Sequence, residues 1–166
     1  MNHGTKLPLG AETYGYPACR ECGYSWTTSF EEARSLISEA PQRYAELLHG
    51  REDAKHKPNE KTWSPSGYVW HVSDWLRIQG QRIYGISRDP QYRHVGIDPD
   101  DLDGIFHYDS LSTPAGLWAL EQSAGQFLRA IDGVNPAQVF NHPDAGPITI
   151  EDIVAVLGAR GPSSRS

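Results

Sequence analysis

Cysteine is scarce in this chain of 166 residues, which contains two cysteines and one methionine. Two cysteines allow a single disulfide at most, so a small secreted scaffold held together by disulfides is excluded. Long apolar runs are also lacking. No segment approaches the roughly 20 apolar residues that cross a bilayer, and residues 1–10 lack the apolar core of a signal peptide. These absences predict a cytoplasmic protein with no membrane partner.

Basic residues are few as well. The chain has 15 Lys and Arg against 21 Asp and Glu, which gives a formal net charge of −6. A duplex nucleic acid normally requires a basic surface stripe, so no nucleic-acid partner is expected. The apolar fraction of 38% is low, but five Trp and eight Tyr can bury a large area. One folded domain is therefore predicted.

Apolar residues recur at three- and four-residue steps in four segments of the chain. This periodicity, with no alternating strand pattern, predicts an all-α four-helix bundle with long loops. The first segment opens with the capping-box pair Ser29 and Glu32, and we expect it to kink or split at Pro41. The four predicted helical segments are 29–50, 65–86, 113–132 and 149–157.

The predicted organisation has three parts. Residues 1–28 form an irregular N-terminal arm with a C-x-x-C motif, residues 29–158 form the helical bundle, and residues 159–166 form a polar, disordered tail. The connection 87–112 is long for a bundle, where short links are the rule. Such loops often carry function.

The C-x-x-C motif consists of Cys19 and Cys22, followed by Gly23. Two thiolates at this spacing can bind one tetrahedral ion, and the glycine lets backbone amides turn toward sulfur. A structural zinc site needs four ligands and a catalytic one needs three plus water, so further ligands must come from elsewhere. A redox or sulfur-carrying dithiol and a pair of unremarkable thiols are the alternatives.

His71 lies inside the second predicted helical segment, at the border of its buried face. A helical wheel places it at the edge of the buried stripe, about 60° from Tyr68, so the imidazole should point into or along the bundle interior. Such a histidine is either a metal ligand or a hydrogen-bonded core residue. The buried stripe of this helix is predicted to contain Tyr68, Val72, Trp75, Leu76 and Ile83.

Two further residues are candidates for the same site. Asp74, one turn after His71, could hydrogen-bond the imidazole, act as an acid or base, or pair with Arg77 on the helix surface. His142 lies in a predicted loop that could fold over one end of the bundle, although a surface position is the simpler expectation for it.

Three stretches, 19–26, 63–75 and 148–154, carry a family resemblance. In them the chain resembles the DinB-like (YfiT-like) four-helix-bundle metalloproteins of bacteria. The resemblance implies a metal-binding bundle. It matches His71 to the ligand histidine of the second helix and Asp74 to the acidic residue that follows it. Members of this superfamily include S-transferases and isomerases that use low-molecular-weight thiols.

The two histidines that complete the family's site in the fourth helix are missing from residues 156–162. Two interpretations follow. The bundle could be a metal-free scaffold, or the arm could fold across it and bring Cys19 and Cys22 to a zinc or other divalent ion held by His71. We favour the second. Water, substrate or His142 would then occupy the fourth position.

The predicted function is zinc-dependent thiol or sulfur transfer in small-molecule (secondary) metabolism, with a zinc-bound or zinc-activated sulfur as nucleophile. Cys19, Cys22 and Asp74 are the predicted catalytic residues. A small-molecule substrate, a low-molecular-weight thiol and a homodimer are the expected partners. One alternative is a non-catalytic DinB-like binding module with a structural zinc, and another is a metal-free dithiol redox protein.

Overall fold

The computed structural model describes residues 16–18, 25–60, 62–89, 91–142 and 146–158. The predicted arm is therefore described only at its end, and both cysteines and the predicted tail lie outside the described residues. In chain order the elements are α1 (Phe30–Leu48), α2 (Pro65–Arg88), α3 (Pro99–Phe106), a 3-10 turn (Tyr108–Ser110), α4 (Thr113–Ile131), β1 (Val139–His142), β2 (Gly146–Thr149) and α5 (Ile150–Gly158). The predicted four-helix bundle is confirmed and consists of α1, α2, α4 and α5.

Local capping explains where the bundle helices begin. Ser29 and Glu32 form the expected capping box, in which each side chain bonds the other residue's backbone amide. Ser64 caps α2 through its hydroxyl, and a proline follows at the first helical position. Thr149 and Asp152 make a reciprocal pair of the same kind at the start of α5. These starts agree with the predicted ones.

The split into two helices, one of the two outcomes predicted at Pro41, does not occur, because α1 is one continuous helix through that residue. An internal proline removes one backbone hydrogen bond and costs about 3 kcal/mol. Buried residues lie on both sides of the proline, with Ile37 at 2% exposure and Leu48 at 9%. Burying a side chain of this size stabilises by roughly 1.5–3 kcal/mol. Packing against α4 and α5 therefore outweighs the local penalty.

The core is centred on the contact between α2 and α4. Gly80 of α2 lies so close to α4 that a Cβ there would be 3.4 Å from the Cα of Phe127. Two turns before Gly80 on α2 and one turn before Phe127 on α4, the hydroxyls of Ser73 and Ser123 are 3.1 Å apart and buried, so each satisfies the other. The two helices therefore pack with little room between their backbones.

The sequence periodicity predicted Tyr68 in the buried stripe of α2, but this is wrong. Tyr68 is 40% exposed. The stripe is centred instead on Val69, Leu76 and Ile83, which are at most 2% exposed and recur every seven residues. Tyr68 lies about 100° to one side of Val69 on the helix and falls at the margin.

The long connections contain more regular structure than their sequence predicts. The segment 87–112 holds α3 and the 3-10 turn, and the linker before α5 folds into an antiparallel hairpin in which His142 pairs with Gly146. These elements are too short to show a periodic pattern. Among the described helices, none combines the length and apolarity needed to cross a membrane.

Candidate functional site

His71 lies near the start of α2 and is 3% exposed, which agrees with the predicted inward position. Its imidazole lies against the indole of Trp63, with ring centres 4.3 Å apart, and near that of Trp75 at 6.3 Å. Trp63 precedes the helix, whereas Trp75 follows His71 by one turn. The imidazole therefore occupies a defined aromatic environment rather than a solvent-facing position.

A carboxylate from the long connection fixes Trp63 over this imidazole. Asp103, on α3, accepts a hydrogen bond from Nε1 of Trp63 at 3.1 Å through one oxygen. Its other oxygen accepts the backbone amide of Tyr108 at 3.0 Å. Asp103 therefore links α3, the 3-10 turn and the residue that covers His71.

Asp74 does have the surface partner that was one of its predicted interpretations. Its Oδ1 accepts hydrogen bonds from the Arg77 guanidinium, the shorter at 2.9 Å. Its Oδ2 accepts the hydroxyl of Tyr108 at 2.8 Å, a contact that the sequence pattern did not indicate. Two donors from different elements thus hold the carboxylate in a fixed orientation.

Tyr108 is fully buried at 0% exposure, and its ionisation is strongly disfavoured. Burial raises the pKa of its hydroxyl well above the usual range, and the hydrogen bond to the Asp74 carboxylate raises the pKa further. Both causes penalise a phenolate, the first by desolvation and the second by repulsion. Tyr108 therefore remains a hydrogen-bond donor across the physiological pH range.

We expect Tyr108→Phe to lower the free energy of unfolding by roughly 1–3 kcal/mol at neutral pH, because a hydrogen bond to a charged group is lost. The folded protein holds the Tyr108 proton more tightly than the unfolded chain does. The wild-type stability from this group is therefore complete below the unfolded pKa of about 10 and declines above it. The difference between the two proteins should shrink above about pH 10. Urea unfolding at several pH values measures it.

Tyr84→Phe is the matched control, since Tyr84 lies on α2 but is 59% exposed. It should change the unfolding free energy by no more than about 0.5 kcal/mol. A Tyr108→Phe deficit that grows with rising pH would contradict the assigned hydrogen bond.

Asp109 connects the same loop to the start of α2. One oxygen accepts both the amide and the hydroxyl of Ser64, and the other lies 3.1 Å from the Lys57 ammonium. Burial opposes ionisation of this carboxyl, but the hydrogen bonds from Ser64 and then Lys57 outweigh it and lower its pKa. The carboxylates of Asp74, Asp103 and Asp109 together attach the long connection to the end of α2 that carries His71.

The described residues include two of the predicted ligands, His71 and His142, but neither cysteine. Cys19 and Cys22 lie outside the described residues, but the residues on either side of them, Ala18 and Ser25, form an antiparallel bridge. The amide of Trp26 also donates to the carbonyl of Pro17 at 3.0 Å. Ala18 and Ser25 therefore lie side by side.

His142 is not brought to His71. Its ring lies 5.3 Å from that of His94, in a segment whose next residue, Val95, accepts a hydrogen bond from Arg82. Arg82 follows His71 by eleven positions on α2, which is roughly 16 Å along the helix axis. Two ligands of one zinc ion have their donor atoms only about 2 Å from it. His94 had no helical or motif signal in the sequence.

No set of three or more His, Cys, Asp and Glu side chains within the described ranges could hold a metal ion. His71 would therefore supply one ligand, and a site built on it needs donors from outside the described ranges. A donor set of two thiolates and one imidazole suits zinc and leaves a fourth position open. The predicted set of Cys19, Cys22 and His71 is thus chemically suited to zinc.

Comparison with known proteins supports the fold. No family model and no curated protein matches the chain. Its structure resembles YfiT from Bacillus subtilis, described as a probable metal-dependent hydrolase with an unusual four-helix bundle topology (TM-score 0.69, 13% identity, 78% of this chain and 77% of that one). It also resembles a variant of a mycothiol-dependent maleylpyruvate isomerase (TM-score 0.60, 12% identity), covering 81% of this chain and 58% of the isomerase. The chain therefore has the four-helix-bundle fold of these two proteins.

Proposed function

We propose that this chain is a zinc-dependent enzyme of small-molecule metabolism that transfers a thiol or a sulfur. In this proposal Cys19, Cys22 and His71 bind the metal, and water or substrate takes the fourth position. The observation that carries it is the burial of His71, at 3% exposure, in a fold shared with a probable metal-dependent hydrolase and a thiol-dependent isomerase. A buried imidazole can be an effective ligand because its orientation is fixed in advance.

The described residues support a preorganised ligand at His71. Trp63 lies on the imidazole, and Asp103 fixes Trp63 through its indole nitrogen. Little side-chain freedom would remain to be lost when an ion binds, which favours affinity. Trp75, one turn further along α2, limits the ring from another direction.

The bridge between Ala18 and Ser25 supports joint delivery of the two thiols. Cys19 is adjacent to Ala18, so their Cα atoms are about 3.8 Å apart, and Cys22 is within about 11 Å of Ser25. Trp26, directly after the bridge, is 7% exposed and anchors this part of the arm. We propose that both sulfurs bind the same metal ion.

The chemistry that a bound zinc supplies is a lower pKa for a thiol. The sulfur of the incoming thiol would form a bond to an electrophilic carbon, and the leaving group would depart with its own electron pair. Asp74 would accept the proton of the incoming thiol, and the Tyr108 hydroxyl would hold its carboxylate in place. Asp74 would then act as the base, and Tyr108 would act as the residue that positions it.

The proposed partners are a small electrophilic substrate and a low-molecular-weight thiol, since the maleylpyruvate isomerase of the same fold is mycothiol-dependent. We propose the cytoplasm as the compartment, because thiols stay reduced there. A homodimer is part of the proposal, and the 65% exposed Trp118 on α4 supports it because exposed aromatic rings favour interfaces.

Cobalt substitution combined with elemental analysis tests the proposal. Freshly purified wild-type protein should contain zinc, and the cobalt form should show a thiolate-to-cobalt charge-transfer absorption. Cys19→Ser should weaken or abolish that absorption, whereas His56→Ala, which removes an exposed imidazole, should not. Incubation with an electrophilic substrate should consume free thiol and yield product. A cobalt protein without thiolate absorption would overturn the proposed ligand set.

The second candidate function is a non-catalytic binding module in which the zinc is structural. The buried Trp26 and the bridge beside it favour this alternative, because a metal at the cysteines would pin the arm to the bundle. Removing the metal separates the two functions. A structural site should lose many degrees of melting temperature, whereas a catalytic site should lose activity with little change in melting temperature.

A further inference from the structure

The β1 strand turns His142 toward the interior. Side chains alternate along a strand, so His142 shares a face with Phe140, which is 6% exposed. Its register partner Gly146 has a φ of +69°, a conformation that suits glycine and helps the hairpin to reverse. The imidazole therefore faces the end of α2 rather than open solvent.

His94 approaches the same place from the segment that follows α2. Arg82 donates to the carbonyl of the neighbouring Val95 at 2.6 Å, which anchors this segment. Tyr92 lies directly over Gly85, where a Cβ would come within 2.5 Å of its ring. Tyr92 and Val95, which lie on either side of His94, are therefore both held in place. The His94 ring lies 6.0 Å from the ring of Phe140, and both of its nitrogens are buried.

The spacing of the two imidazoles matches that of two ligands on one ion. Their ring centres are 5.3 Å apart, with 68° between the ring planes. In a tetrahedral zinc site each ligating nitrogen is about 2.1 Å from the metal and each ring centre is about 1.1 Å further, so ring centres are roughly 5.2 Å apart. The ring-centre separation therefore fits two imidazoles on a common ion.

We propose that His94 and His142 form a second transition-metal site at the C-terminal end of α2, separate from the one proposed at His71. The two imidazoles bind a zinc ion more weakly than the three or four protein ligands of a catalytic or structural site would, and water completes the coordination. The ion cross-links the segment after α2 to the β-hairpin, two parts of the chain that are 48 positions apart. Because such an ion binds the folded state, it stabilises this end of the bundle.

The test uses ring-preserving substitutions and zinc stoichiometry. His94→Phe and His142→Phe keep a planar ring in the aromatic cluster but remove the ligating nitrogens. Each should lower zinc binding by one equivalent and weaken the affinity of that equivalent by at least about 100-fold, since even outer-shell changes cost 10–100-fold. The rise in melting temperature on adding zinc should fall in the same variants. His56→Phe, at an exposed position, is the matched control.

A measurement on wild-type protein makes the test independent of how the variants fold. After the cysteines are alkylated in the folded protein, one zinc equivalent should remain bound. Loss of all zinc on alkylation, or an unchanged stoichiometry in both phenylalanine variants, would overturn the second site. Thiolate-to-cobalt absorption reports separately on the cysteine site. A protein that keeps this absorption but fails the histidine test would retain the proposed function and lose only this inference.

Discussion

Phe127→Ala is expected to lower the free energy of unfolding by about 3–5 kcal/mol, the range for truncating a buried phenylalanine. Phe127 is 0% exposed and lies where α4 approaches Gly80 of α2 most closely. The tight backbone packing at this contact leaves the neighbours little freedom to fill the cavity. The melting temperature should fall by roughly 6–20 °C for a domain of this size. Thermal and urea denaturation followed by circular dichroism measure both quantities.

Gln126→Ala is the matched control for this prediction, because Gln126 precedes Phe127 on the same helix but is exposed. It should change the unfolding free energy by no more than about 0.5 kcal/mol in the monomer. Equal losses in the two variants would mean that α4 presents a different face to the core.

His71→Ala is expected to weaken zinc binding at the proposed cysteine-containing site by at least about 100-fold. Removing a direct ligand should cost more than the 10–100-fold that outer-shell substitutions cost. Catalytic activity should fall with metal content, and added zinc should restore it only in part. Competition with a chelator of known affinity measures the first effect, and turnover at saturating zinc measures the second.

His56→Ala provides the comparison for His71→Ala, since it removes an exposed imidazole and leaves the α2 face intact. Its zinc affinity and turnover should equal those of the wild type. Unchanged zinc affinity in His71→Ala would remove His71 from the ligand set. A large loss of stability that zinc removal alone reproduces would instead favour the structural-zinc module.

The packing around His71 shows why the long connection matters for the proposed site. The carboxylates of Asp103 and Asp109 bond residues at the start of α2, and Tyr108 between them bonds Asp74. The orientation of Trp63 over His71 therefore depends on a segment that looks like an ordinary loop in the sequence. The length of this connection was recognised in the sequence, but the partners of its individual carboxylates were not.

The sequence by itself determined where the bundle helices begin and the inward direction of His71. Ser29, Ser64 and Thr149 bond groups within three residues of themselves, so their effect can be read from adjacent positions. A periodic apolar stripe likewise depends only on the geometry of one helix. The stripe was misleading at Tyr68, because its true centre depended on which neighbour packed against the helix. At Pro41, packing of the helix outweighed the local penalty that had predicted a split.

Tertiary structure alone decided the partners of the candidate site residues. The hydrogen bond between Trp63 and Asp103 joins residues 40 positions apart, and that between Asp74 and Tyr108 joins residues 34 positions apart. His142 and His94 were also brought together only by the hairpin and the segment after α2. Contacts of this kind arise when separate elements bury their apolar faces, and no short-range pattern records which polar groups then meet.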